Sequence, residues 1–411
     1  MTRGHTRCRS CGGHIDATVL DLGQQPLSNS YVDPGHEADE RRYPLCAVLC
    51  TGCGLVQVAD VVAPEDIFSD YAYFSSFSDS WVEHAARFAE AAEARFGLGP
   101  DSLVVEIASN DGYLLQHFAG AGIGVLGVEP AANVAEVARA KGIETEVAFF
   151  GVELARRLLD RGVRADLIVG NNVLAHVPDL NDFIGGIADL LADDGVVSIE
   201  VPHLLRLVEG TQFDTIYHEH FSYFSLTAAR AAFGRHGLDV FDVEELPTHG
   251  GSLRIFACRA GSGTWATTDA VERVLVAERE ARLTEPEGFT GFGQRVQACC
   301  EGLARFLGEQ KAAGARVAAY GAAAKGNTLL NAVGVTADLL EYVVDRNPRK
   351  QGRLLPGSHV PIRDVEHLLG DRPDLVLILP WNLRIEIAEQ MAGIRDWGGR
   401  FVVAVPEIEV F

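Results

Sequence analysis

Residues 103–129 read LVVEIASNDGYLLQHFAGAGIGVLGVE. An apolar run, LVVEIA (103–108), enters the short polar loop Ser109-Asn110-Asp111-Gly112. A helix-forming stretch follows, and then a second apolar run that closes on Glu129. The pattern predicts a β-loop-α-β unit. A tight loop lets the backbone approach a ligand, and a carboxylate at the tip of the next strand accepts both hydroxyls of a ribose. The loop has no G-x-G-x-x-G and carries Glu106 inside the strand, which argues against NAD in this half. DLIVG (166–170), NNVLAHVPD (171–179) and GVVSIEVP (195–202) continue the alternation, predicting a parallel α/β sheet.

A second unit of this kind lies near the carboxyl end. RVAAYG (316–321) runs into Ala322-Ala323-Ala324-Lys325-Gly326-Asn327, and LLEYVVD (339–345), DLVLILP (374–380) and RFVVAVP (400–406) follow. Another nucleotide-type crevice is implied, with Lys325 at a helix entrance facing a diphosphate. NAD is its rival occupant. Residues 264–314 read as helical connecting scaffold broken by EPEGFTGFG (285–293), and the adjacent Cys299 and Cys300 read as packing residues.

At 411 residues the chain is long enough for two or three domains. Thirty-five basic residues against 57 acidic ones leave a net charge of -22, which repels phosphate backbones and anionic lipid. Nucleic acid and membranes are therefore excluded as partners, and no obligate protein partner is evident. The amino terminus lacks a signal-peptide core and no apolar run reaches membrane-spanning length, so a cytoplasmic protein is expected.

Cys8 and Cys11 form one C-x2-C pair and Cys50 and Cys53 another, followed by Gly12 and Gly54. Four thiolates at knuckle spacing predict a tetrahedral zinc ion with no open position, hence a structural one. Cys46 has no partner at that spacing and reads as a buried thiol. No dense basic stripe accompanies the knuckles, so a nucleic-acid-binding ribbon is not expected.

The densest chemistry is Tyr217-His218-Glu219-His220-Phe221-Ser222-Tyr223. H-E-H lacks the i,i+4 histidine spacing of zinc-protease helices. In a regular strand Tyr217 and Glu219 face one side and His218 and His220 the other. Tyr217, Glu219 and His220 meet in one cleft only if the segment is bent.

Residues 100–245 resemble class I S-adenosylmethionine-dependent methyltransferases, although Ala108 and Asn110 stand where that loop commonly has Gly. The ordered series of two cysteine knuckles, YAYFSSFSDSW (71–81), EIASNDGYL, NNVLAHVPD, YHEHFSYFS, HGGSLR (249–254) and YGAAAKGN resembles, over nearly all of the chain, the sugar C-methyltransferases of antibiotic biosynthesis. The resemblance implies a zinc-binding domain (1–70), a Rossmann-like S-adenosylmethionine domain (71–255) and a second Rossmann-like α/β domain for the nucleotide sugar (256–411). It implies C3-methylation of a TDP-linked 4-keto-deoxysugar through a C4 enolate. His220 is then the base, Glu219 its orienter or proton-sharing partner, and Tyr217 and His176 the donors to the keto oxygen or hydroxyls, with His218 pointing away. Glu106, Ala108 and Asn110 fall at the methionine end of the cofactor, Glu129 on its ribose and Asn171 or Asn172 beside the sulfonium. Phe149, with Phe150, is expected to cover the adenine, and Tyr73 and Ser80 to close over cofactor or substrate. Lys325, His249, Ser252 and Asn327 are expected at the sugar nucleotide. An O- or N-methyltransferase, or a non-catalytic zinc-ribbon module, are the competing readings.

Overall fold

The computed structural model describes residues 7–15, 17–59 and 75–411. At the amino end β1 (Ala17–Pro26) pairs antiparallel with β2 (Arg42–Leu49), and β2 with β3 (Val56–Val58). Knuckle residues Gly12 and Gly54 take left-handed φ values of 71° and 75°, which glycine reaches without a Cβ penalty.

The central sheet contains β4 (Leu103–Ile107), β5 (Gly124–Val128), β6 (Thr145–Glu146), β7 (Ala165–Asn171) and β8 (Leu191–Pro202). The next strand, β9 (Ser222–Tyr223), leaves this sheet and adds to the edge of β3, with Gln57 opposite Ser222. The segment around His220 is thereby fastened to the amino-terminal sheet. Strands β10 (Leu238–Leu246) and β11 (Ser252–Arg259) complete the order β10-β11-β8-β7-β4-β5-β6, with β11 antiparallel to both neighbours. From β4 the chain winds first through β5 and β6, then returns to β7 on the other side. That reversal opens a crevice at the carboxyl ends of β4 and β7.

In the last sheet β12 (Val317–Tyr320), β13 (Val343–Val344), β14 (Ile362–Arg363), β15 (Leu375–Ile378), β16 (Arg400–Val403) and β17 (Glu409–Val410) order as β14-β13-β12-β15-β16-β17. It is parallel except for β17, and its winding reverses beside β12.

The sheets do not keep separate cores. One apolar cluster joins Leu45 and Val56 of the first sheet, Phe213 and Phe221 near the His220 segment, and Val317 and Leu377 of the last. The predicted connecting scaffold cements it. Helix Phe292–Ala312 buries Phe292, Val296, Cys299, Leu303 and Leu307, a helical stripe that belongs to this cluster. Among the described residues no helix is long and apolar enough to cross a membrane.

Candidate active site

At the carboxyl end of β4 the backbone turns left-handed at alternate residues, with φ of 56° at Ala108, 50° at Asn110 and 77° at Gly112. The loop has the shape that glycines normally supply, built here with Ala and Asn. Asn tolerates this region, whereas Ala pays about 1 kcal/mol for it. Ala108→Gly is expected to raise the unfolding free energy by about 1 kcal/mol in urea titration.

The loop delivers the Asn110 amide to Glu129 Oε2 at 3.0 Å, and the Ala131 amide meets Oε1 at 2.8 Å. Each carboxylate oxygen keeps a further lone pair. Burial raises the Glu129 carboxyl against these two amides. Burial also pushes the Glu106 carboxyl well above the ordinary range, opposed by the Tyr113 hydroxyl. Among the described residues Asn171 Oδ1 and Asn172 Oδ1 are buried without a hydrogen-bond partner. Phe149 is 57% exposed at the rim, while Phe150 packs edge-on against Phe183. This crevice offers fixed carboxylates for hydroxyls, orphaned amide oxygens for a cationic group and an uncovered ring for a base, a donor set that fits S-adenosylmethionine.

The segment 217–220 is a turn, closed by the His220 amide on the Tyr217 carbonyl at 2.9 Å, which supplies the bend required above. His220 Nδ1 donates to the Thr215 carbonyl at 2.8 Å. A carbonyl only accepts, so the other nitrogen, Nε2, carries the lone pair and receives the Tyr217 hydroxyl at 2.8 Å. The His176 ring stands edge-on to His220 with centroids 4.7 Å apart. Burial, helped by His176, Lys325 and His249, holds His220 well below the usual imidazole range. Burial likewise brings His176 down to about 4. His218 turns away to Tyr43 and the Pro44 carbonyl.

The expectation that Glu219 orients His220 is corrected. Both ring nitrogens are engaged elsewhere, and Glu219 Oε2 accepts from Asn29 Nδ2 at 2.5 Å. Burial raises the Glu219 carboxyl to about 7.

Behind this turn lie the cysteine knuckles. The sulfur atoms of Cys8, Cys11, Cys50 and Cys53 fall within 4.8 Å of one another, a thiol set that fits one tetrahedral ion, and Cys46 is outside it. Arg9, inside the first knuckle, donates to the Phe221 carbonyl at 2.8 Å and the Val58 carbonyl at 2.6 Å. The knuckle thus grips the residue next to His220.

A cleft of about 900 Å3 separates helix Asp79–Phe96 and the β10–β11 hairpin from the last sheet. Its wall includes Trp81, His249, Arg254, Arg346 and Lys350. His249 sits at a left-handed φ of 56° with its ring edge-on to Trp81 at 5.3 Å, and burial, with Lys325, lowers it to about 4. Ser80, expected to close over cofactor or substrate, lines this cleft and donates to Glu386 Oε2 across it at 2.8 Å. The Ser252 hydroxyl donates to the Thr248 carbonyl and Asn327 Nδ2 to the Ser28 carbonyl, while among the described residues Asn327 Oδ1 is buried without a hydrogen-bond partner. Tyr73 lies outside the described residues.

Glu200, at the end of β8, was not singled out by its sequence context, yet it ties the cleft wall together. Its Oε2 stands 2.9 Å from both His84 Nε2 and Arg254 Nη2, and Thr248 donates to Oε1. Burial alone raises this carboxyl, but His84, Arg254 and Thr248 outweigh it and hold it at about 2. The folded value lies below the unfolded one, so the stabilisation is present above about pH 4 and disappears as the pH falls toward 2. Glu200→Gln is expected to cost about 3 kcal/mol in urea unfolding at pH 7, with little difference from the parent at pH 2.

The chain is 37% identical to the C-methyltransferase NovU of Streptomyces niveus over its whole length and 98% of that protein. It belongs to the C-methyltransferase family. Family models for a zinc binding domain, a methyltransferase domain and a C-methyltransferase C-terminal domain match residues 8–68, 81–243 and 247–406 of this C-methyltransferase. A ubiquinone biosynthesis O-methyltransferase of Chelativorans is 30% identical over 29% of the chain and 47% of its own length. Magnesium protoporphyrin IX methyltransferase from Synechocystis, solved with bound S-adenosylmethionine, is 18% identical, covering 44% of this chain and 82% of its own at a TM-score of 0.33.

In this C-methyltransferase, Glu200, Asp214, Asn29 and Trp381 are residues that sequence reading missed. Each sits in an ordinary local context, and its partner is distant in the chain. Asp214, for example, meets Trp381. The one available signal was an acid, Glu200, within the otherwise apolar GVVSIEVP.

Proposed function

We propose that this C-methyltransferase methylates C3 of a TDP-linked 4-keto-deoxysugar through an enolate, with His220 as base. The observation that carries the reading is the aligned Thr215–His220–Tyr217 array, which presents an unprotonated imidazole nitrogen to a phenol beside the crevice. A neutral imidazole in a dry site accepts a proton without first losing one. Because the Tyr217 hydroxyl occupies Nε2, the C3 proton reaches His220 through Tyr217, whose oxygen takes it while passing its own proton on. His176, hydrogen-bonded to the Glu219 carbonyl, stands next to the ring and holds sugar hydroxyls.

Glu129 would hold the cofactor ribose, Glu106, Ala108 and Asn110 its methionine end, Asn171 and Asn172 the sulfonium side, and Phe149 the adenine. S-adenosylmethionine supplies there the electrophilic methyl group that the enolate carbon takes. Zinc is the ion that the four thiols would hold, with a structural role. The TDP-sugar is assigned to the cleft beside His249, where Arg346 and Lys350 offset the negative field of the chain.

The test is turnover of a small panel of TDP-4-keto sugars, together with exchange in deuterium oxide. Wash-out at C3 and a C-methyl product are expected. Exchange at C5 instead would move the reaction to the other flank of the ketone, and neither exchange nor C-methyl product would overturn the reading. Tyr217→Phe is expected to lower kcat about 100-fold with unchanged affinity for S-adenosylhomocysteine, measured by calorimetry.

A further inference from the structure

One charge cluster has no part in the chemistry so far. Helix Ala324–Val333 packs against the turn Phe213–Thr215, which supplies the Thr215 carbonyl to His220. On that helix Lys325 Nζ donates to Asn382 Oδ1 at 2.7 Å and lies 4.8 Å from the centre of the Trp381 ring. Trp381 Nε1 in turn donates to Asp214 Oδ2 at 2.7 Å. Asp214 is fully buried, and among the described residues its Oδ1 has no hydrogen-bond partner.

Placing an ammonium and a carboxylate in such a site is expensive, and apolar packing would serve the core better. The nearby cleft wall is lined by other cations, Arg87, Arg95, Arg346 and Lys350. Lys325 is held instead against Trp381, whose indole N–H binds Asp214. Burial lowers the ammonium's pKa while Asp214 opposes that, and the Lys325 charge in turn depresses both His220 and His249. An ammonium has three donors, and among the described residues one of them is taken, by Asn382. A fixed, partly buried cation beside a general base suits an anion that forms only during reaction.

We infer that Lys325 is a catalytic residue that hydrogen-bonds the C4 oxygen and stabilises the enolate, rather than a diphosphate ligand. Asp214 acts through it as a positioning residue. This inference rests on the reaction proposed above. When the C3–H bond breaks, its electron pair forms the C3–C4 double bond and the carbonyl π pair moves to the C4 oxygen. The proton goes to Tyr217 and His220, while Lys325 keeps its own and donates a hydrogen bond to the oxyanion.

The experiment follows deuterium wash-out from a TDP-4-keto-deoxysugar in the full-length enzyme without methyl transfer, alongside TDP binding. Lys325→Met is expected to slow wash-out at saturating sugar at least about 100-fold, with TDP affinity within about twofold of the parent. Lys325→Arg is expected to restore at least about a tenth of the parent rate, because it keeps the charge. Parent-like wash-out in Lys325→Met would overturn the assignment, as would a TDP affinity weakened tenfold with saturated wash-out intact, the mark of a diphosphate ligand. If Lys325→Met loses S-adenosylhomocysteine binding and so reports a disturbed fold, Asp214→Asn decides: a fall in wash-out of about tenfold with TDP binding intact supports the pair, and no fall overturns it. A parent enzyme without any wash-out would refute the reaction itself, which separates the two failures.

Discussion

Replacing His220 with Ala is expected to lower kcat by about three orders of magnitude while leaving the affinity for S-adenosylhomocysteine within about twofold. The imidazole is held from both sides. The Thr215 carbonyl fixes the tautomer, and the Tyr217 hydroxyl marks where the mobile proton arrives. Truncation removes the acceptor and strands the phenol, so Tyr217 gains no substitute base. Glu219 does not take over, because its carboxylate is bound to Asn29. The crevice of Ala108, Asn110 and Glu129 is formed by other elements and is not disturbed. The check is a single-turnover rate paired with calorimetric binding. A His220→Ala enzyme within tenfold of the parent would remove His220 from the proton path.

Cys50→Ser is expected to release about one equivalent of bound metal per chain, lower the thermal midpoint and abolish turnover. Loss of activity follows from connectivity. Cys50 opens the turn after β2, and β3 beyond it is the strand to which Ser222 and Tyr223 pair. Arg9, between the partner thiols, holds the Phe221 carbonyl. Without the ion both grips on the residues following His220 loosen together. Metal analysis on the purified protein and a melting curve check this without any assay of turnover. Unchanged metal content would refute the four-thiolate site.

Much of the architecture was legible because it is local. The run from Leu103 to Glu129 announces a strand, a tight loop, a helix and a strand by period and composition alone, and the structure places β4 and β5 there. The spacing of Cys8, Cys11, Cys50 and Cys53 likewise brought four thiols together. The turn at 217–220 was legible only as a condition, since a sequence shows which groups are adjacent and not how the backbone bends. The hydrogen bonds that Ser80, Ser252 and Asn327 make within the protein were not legible for the same reason. Each has the right chemistry for a ligand, and each side chain also donates to the protein, at Glu386, Thr248 and Ser28 respectively.

From its sequence alone this chain was bound to form two Rossmann-like sheets with a cysteine-knuckle module, because periodicity, loop composition and thiol spacing act over a few residues. Only the tertiary structure decided that β9 joins the amino-terminal sheet, that Asn29 rather than His220 receives Glu219, and that Lys325 meets Asp214 through Trp381. Those choices depend on which distant groups exclude water together, and burial, unlike spacing, is a property of the packed whole.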